Sequence, residues 1–138
     1  MLNSNNKPYN SLADCMCSSG QPYSACCQPI HTKIQPALSA EALMRSRFSA
    51  FRLGLVDYLL ESWCANTRPS ELDLTDQPDW FKLVIYQTQL GSENDATGVV
   101  EFGAFYQQGK QLGEMREISQ FQRNSSGYWC YLSGVVLD

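Results

Sequence analysis

The stretch "CMCSSGQPYSACC", residues 15–27, places four of the chain's six cysteines within thirteen positions. Three chemistries use such a cluster: two disulfides, a redox couple or a metal site. The neighbours Cys26 and Cys27 would strain badly if bonded to each other. A redox pair calls for C-x-x-C at a helix N-terminus beside a βαβ pattern, and this chain has neither. Zinc wants four soft ligands on a tetrahedron, about 2.3 Å from each sulfur. Two ligand pairs on either side of a short Gly-containing loop supply them. Cys15, Cys17, Cys26 and Cys27 are therefore the expected ligands of a Zn2+ ion. Four thiolates leave no open coordination position, so this zinc is structural rather than catalytic. His31, the only histidine, is the alternative to Cys27 as fourth ligand. Pro29 lies between the two and discourages a helical turn joining them, which favours Cys27. Cys64 and Cys130 sit among aromatics and read as buried apolar thiols in a helix and a strand.

Composition narrows the setting. With 138 residues and a net charge of −4, the chain is long enough for one packed core and too acidic to favour nucleic acid. No apolar run approaches the ~20 residues a membrane-spanning helix needs. The N-terminal "MLNSNNKPYNSLAD" lacks the pattern of a secretory signal. A cytoplasmic protein is expected, in a compartment where clustered thiols meet metal more often than each other.

The elements that must position these residues follow from periodicity. Residues 1–12 read as a polar leader, 13–31 as the cysteine module, and the segment after it as a connector carrying Pro36. Ser39 is a good N-cap for a helix through "AEALMRSRFSAFRL", with Met44, Phe48, Phe51 and Leu55 on one apolar stripe and Gly54 at its end. Glu41, Arg45, Ser46, Ser49 and Arg52 fall on the opposite, solvated face. Asp57 is the expected cap of a second helix whose stripe is Val56, Leu59, Leu60 and Trp63. The second half alternates as strands: "WFKLVIYQTQL", "TGVVEFGAFYQQ", "LGEMREISQFQRN" and "GYWCYLSGVV", separated by turn signals. Two helices followed by a four-stranded meander make an α+β fold, its sheet curled around the first helix.

Arg47 breaks the pattern of that helix, falling inside the apolar arc between Leu43 and Phe51. A buried guanidinium needs a partner. Alternation in the third strand turns Met115, Glu117, Ser119 and Phe121 to the inner face, so Glu117 is the expected partner and Glu101 the reserve. The pair is either a structural link or part of a pocket. In the pocket reading Arg47, Glu117 and Ser119 contact a ligand, with no catalytic residue assigned.

The cysteine spacing, with Gly20 and Tyr23 between the pairs, resembles the SEC-C zinc motif named for the tail of the SecA translocation ATPase. "LMRSRFSAF" (43–51) and "EISQFQRNSSGYWCYLSG" (117–134) resemble the bacterial YchJ family, which joins that motif to a domain like nuclear transport factor 2, a cone of helices inside a curved sheet. The resemblance implies a zinc module at 13–31 and a cone at 37–138. Family members commonly read "CPCGSG" where this chain has "CMCSSG", and Glu-Arg-Ser-Arg-Phe where it has Glu117 to Phe121. Many carry a second SEC-C motif at the C-terminus, and this sequence shows only the one at residues 15–27. In SecA the motif docks on a chaperone, which implies a possible protein partner at the zinc module; the charge and hydropathy above argue against nucleic acid and membrane. The expected function is binding, of a protein or a small ligand, around a structural zinc. The alternative is an enzyme using Glu117 and Arg47. Removing the metal is expected to disorder the module and leave the cone folded.

Overall fold

A computed structural model describes residues 10–137. Most of the polar leader, residues 1–9, and Asp138 at the end of the expected cone lie outside the described residues. A 3₁₀ turn, Tyr23–Ala25, and a single helical turn, α1 (Gln28–His31), precede the main helix α2 (Ala40–Leu53) and the short α3 (Val56–Glu61). Four strands follow: β1 (Asp79–Leu90), β2 (Thr97–Gln108), β3 (Gln111–Arg123) and β4 (Trp129–Leu137). They form one antiparallel meander in the order β1-β2-β3-β4.

Capping sets the limits of α2. Ser39 is extended and its side chain accepts from the Ala42 N–H, while Gly54 closes the helix in the left-handed conformation (φ 72°) that glycine adopts without a Cβ penalty. Asp57 does not cap α3: the N-cap is Leu55, and Asp57 lies in the first turn, where its charge favours the helix dipole. Pro29 likewise does not prevent a helical turn after Cys27. It occupies the first turn of α1, where no N–H is needed, and the His31 N–H reaches the Cys27 carbonyl.

The core lies between α2 and the inner face of the sheet: Leu43, Met44 and Phe48 against Leu83, Val100, Phe102, Ala104, Phe121 and Trp129. The opposite face of α2 is solvated only in part: Glu41, Arg45 and Arg52 remain half-exposed. Ser46 and Ser49 are fully buried because the cysteine module covers them, and Leu53 joins Tyr23 and three of the cysteines in a second cluster. One amphipathic helix thus serves two interfaces.

Cys64 and Cys130 are a disulfide, not free thiols. Trp63 bridges Tyr131 and the Cys64 N–H donates to the Tyr131 carbonyl, so the segment after α3 runs along β4 and brings the two Cα atoms to 5.0 Å. Both residues are buried, and the reducing-compartment argument does not extend to them. No helix among the described residues is long and apolar enough to cross a membrane.

Candidate metal centre and cone cavity

The cysteine module is a knuckle followed by a turn. The Cys15 N–H donates to the Gln21 carbonyl and the Tyr23 N–H to the Ala13 carbonyl, which closes residues 13–23 into a tight loop. Inside it Ser18 and Gly20 take positive φ (67° and 86°), bending the chain so that Cys15 and Cys17 point the same way. The 3₁₀ turn then delivers Cys26, and Cys27 stands at the start of α1. The four sulfurs lie within 4.8 Å of one another. Cys17 Sγ is 3.5 Å from Cys26 Sγ, and Cys26 Sγ is 3.9 Å from Cys27 Sγ. A tetrahedron with metal–sulfur bonds of about 2.3 Å has edges of about 3.8 Å. The donor set fits a metal ion.

Its electrostatics favour one as well. Hydrogen bonds from the Cys15 and Cys27 thiols hold Cys17 well below the usual thiol range. In return the Cys15 thiol is pushed up to about 12, chiefly by its bond to Cys17, and Cys27 is raised by its bonds to both. A divalent cation would let all four ionise. Around the sulfurs, Ser19 Oγ lies 3.1 Å from Cys26 Sγ, and Arg45, paired with Glu41, donates to the Cys17 carbonyl at 2.9 Å. Such partners orient the ligands, and the Arg45 cation offsets the negative charge that four thiolates would bring.

His31 stands apart from the sulfurs with both ring nitrogens engaged. Nε2 lies 2.8 Å from the Ser46 carbonyl and Nδ1 2.7 Å from Tyr23 Oη. The carbonyl can only accept, so Nε2 carries the proton and Nδ1 receives the Tyr23 hydroxyl. Burial holds the His31 pKa below its ordinary value, keeping the ring neutral. The histidine is a bolt between the module and α2.

Arg47 is buried in the cone, but its partners are not carboxylates. Nη1 donates to the Leu59 carbonyl at 2.9 Å and to Ser62 Oγ at 2.6 Å. The guanidinium carbon lies 4.7 Å from the centroid of Trp63 and 4.6 Å from that of Tyr131, two π faces that compensate a desolvated cation. Burial lowers its pKa to about 10. The expected ion pair with Glu117 does not form. Glu117 does face inward, but its Oε2 accepts from Ser119 Oγ and, at 3.2 Å, from Tyr131 Oη. A Cβ at position 134 would collide with that carboxylate, so Gly134 makes room for it. Glu101 faces outward and accepts from Arg116 Nε at 2.9 Å.

Arg47 and Glu117 nevertheless line one cavity of about 290 Å³ between α2 and the sheet, with walls that include Phe51, Trp63, Trp80, Met115 and Tyr131. Ser119 is buried behind Glu117 and supports it from the side. Sequence reasoning missed Trp63 and Tyr131 as the neighbours of Arg47. The cue was present, because a cation set among aromatics can be accommodated without a carboxylate.

Fold and site together define an α+β cone of the nuclear transport factor 2 type with a tetracysteine knuckle at its N-terminal side. Residues 39–134 match the family described as "YchJ, middle NTF2-like domain". The chain is 44% identical over 131 residues to a UPF0225 protein of Corynebacterium efficiens, covering 95% of this chain and 99% of that one. To a UPF0225 protein of Chromobacterium violaceum it is 42% identical over 127 residues, 90% of this chain and 93% of the relative. Among solved structures it resembles a SEC-C motif containing protein from Rhodopseudomonas palustris, with a TM-score of 0.79 and 32% identity over 91% of this chain and all of the other. A second SEC-C motif containing protein, from Psychrobacter arcticus, gives a TM-score of 0.75 at 26% identity, covering 93% of this chain and 85% of that one. The chain belongs to the YchJ family.

Proposed function

We propose that this protein is a binding module in which a structural zinc fixes the knuckle and the cone cavity holds a small ligand. The observation that supports it most is the cavity itself, an apolar and aromatic space with a buried cation and a carboxylate in its wall. Pockets of this make-up, mostly apolar with a few placed polar groups, are where small ligands bind. A ligand in the cavity is preferred to a protein docked at the knuckle, because Tyr23 and three of the four cysteines are already buried against α2. Binding is preferred to catalysis because Glu117 is tied by two hydroxyls and Arg47 by two acceptors and two rings, arrangements that hold charge still. Zinc is preferred among metals because four thiolates in a closed tetrahedron suit it. Four reduced cysteines fit the cytoplasm, where the shielded Cys64–Cys130 pair would be the exception.

Elemental analysis of protein prepared without chelators should find about one zinc per chain. Replacing Cys17 and Cys26 together by serine should abolish it. Metal-free protein with four reduced thiols and a native circular dichroism spectrum would reject the zinc assignment.

A further inference from the structure

The cone cavity holds two opposite charges that do not neutralise each other. Arg47 is 3% exposed, and both of its hydrogen bonds leave from Nη1. Among the described residues, its Nε and Nη2 make no hydrogen bond, although the guanidinium also lies over the Trp63 and Tyr131 rings. Glu117 is half-buried, and its two hydrogen bonds both reach Oε2, leaving Oε1 without one. The pair is not within ion-pair distance, yet both line the same space. An apolar occupant would strip water from Glu117 Oε1 and from the Arg47 nitrogens that make no hydrogen bond, and offer neither a partner. A simple anion would suit Arg47 and be repelled by Glu117, and a simple cation the reverse. A molecule bearing both charges satisfies both.

The walls specify the rest. Phe51 and Trp80 line the wall with aromatic rings, against which an aromatic ring packs well, while Trp63 and Tyr131 flank Arg47 at the charged end. A volume of about 290 Å³ admits a body of roughly fifteen non-hydrogen atoms. We infer that the cavity binds a compact aromatic zwitterion of the aromatic α-amino acid class, its carboxylate on Arg47 and its ammonium on Glu117. The inference rests on the reading of the cavity as a ligand site and names what that site selects.

Titration calorimetry on the full, metal-loaded chain tests it with four probes: L-phenylalanine, 3-phenylpropionate, 2-phenylethylamine and indole. L-Phenylalanine should bind most tightly, with each singly charged analogue weaker by about tenfold. Glu117→Gln should bring L-phenylalanine down to the level of 3-phenylpropionate. Equal or tighter binding of a singly charged analogue, or an unchanged ratio in the Glu117→Gln variant, overturns the zwitterion. Indole tests the cavity separately, since it carries neither charge. Ala104→Leu, which narrows the space, should block indole. If that variant fails to fold, indole-induced shifts of the Trp80 and Met115 nuclear resonances in the unaltered chain give the same answer. Indole binding without L-phenylalanine binding rejects the ligand class alone. Failure of both rejects the cavity reading as well.

Discussion

A lone buried cation has to be accommodated by something, and in this chain Arg47 is held by two π faces, a carbonyl and a hydroxyl. That changes which neighbour it depends on. Arg47→Ala should cost about 3 kcal/mol in urea denaturation, because it empties the box between the two rings and removes the bonds its guanidinium gives to the Leu59 carbonyl and Ser62 Oγ. Its coupling in double-mutant cycles should be larger with Ser62 than with Glu117, and a larger coupling to Glu117 would contradict this geometry. His31 makes a different prediction. Its folded pKa lies below the unfolded value of about 6.5. The unfolded chain therefore binds the proton more readily, so the contribution of His31 to stability is complete above about pH 6.5 and is lost as pH falls toward the folded pKa. Denaturation of the metal-loaded protein between about pH 7 and pH 5 should show this loss. His31→Gln should flatten the slope over the same interval, and an equally steep slope in the variant would assign the titration elsewhere.

At the scale of elements, the limits of α2 and the four strands were legible because caps, turn glycines and alternation all agreed. So was the inward facing of Glu117, which follows from period two alone. The sequence did not show that α2 is buried on two sides. Ser46 and Ser49 look like a solvated face until a second element arrives to bury them, and periodicity carries no information about distant partners. The disulfide was hidden for the same reason, since 66 positions separate its cysteines and only the run of the segment after α3 beside β4 unites them. Within the knuckle, the departure of Ser18 from the glycine common in the family has a physical reading. The position takes φ 67°, which glycine adopts freely, but Ser18 Oγ accepts from the Leu83 N–H in β1 at 3.1 Å. Ser18→Ala should lose that bond and keep the unfavourable backbone, costing about 1 kcal/mol. Ser18→Gly should cost less, since relief of the backbone offsets the lost bond. Thermal denaturation of the two variants side by side would show the order, and a reversed order would remove the explanation.

Over the whole molecule, the knuckle and the cone share one helix. His31 bonds the Ser46 carbonyl and Ser49 Oγ, Arg45 bonds the Cys17 carbonyl, and Ser18 bonds Leu83, so hydrogen bonds cross the seam at three separate places. On this geometry, stripping the metal should lower the melting temperature of the whole chain rather than melt residues 13–31 alone. A cone transition unchanged by chelation, followed by near-ultraviolet circular dichroism, would show the two to be independent. The contact at Leu83 has a further consequence. Among the described residues β1 is an outer strand with β2 as its one strand neighbour, and the N–H that Ser18 occupies is on the side away from β2. A free strand edge is a template on which another chain can add. The cysteine loop is thus a guard on the margin of the sheet, and chelation of the proposed zinc should leave the protein sticky before it is unfolded: light scattering should rise at temperatures where the far-ultraviolet signal is still native.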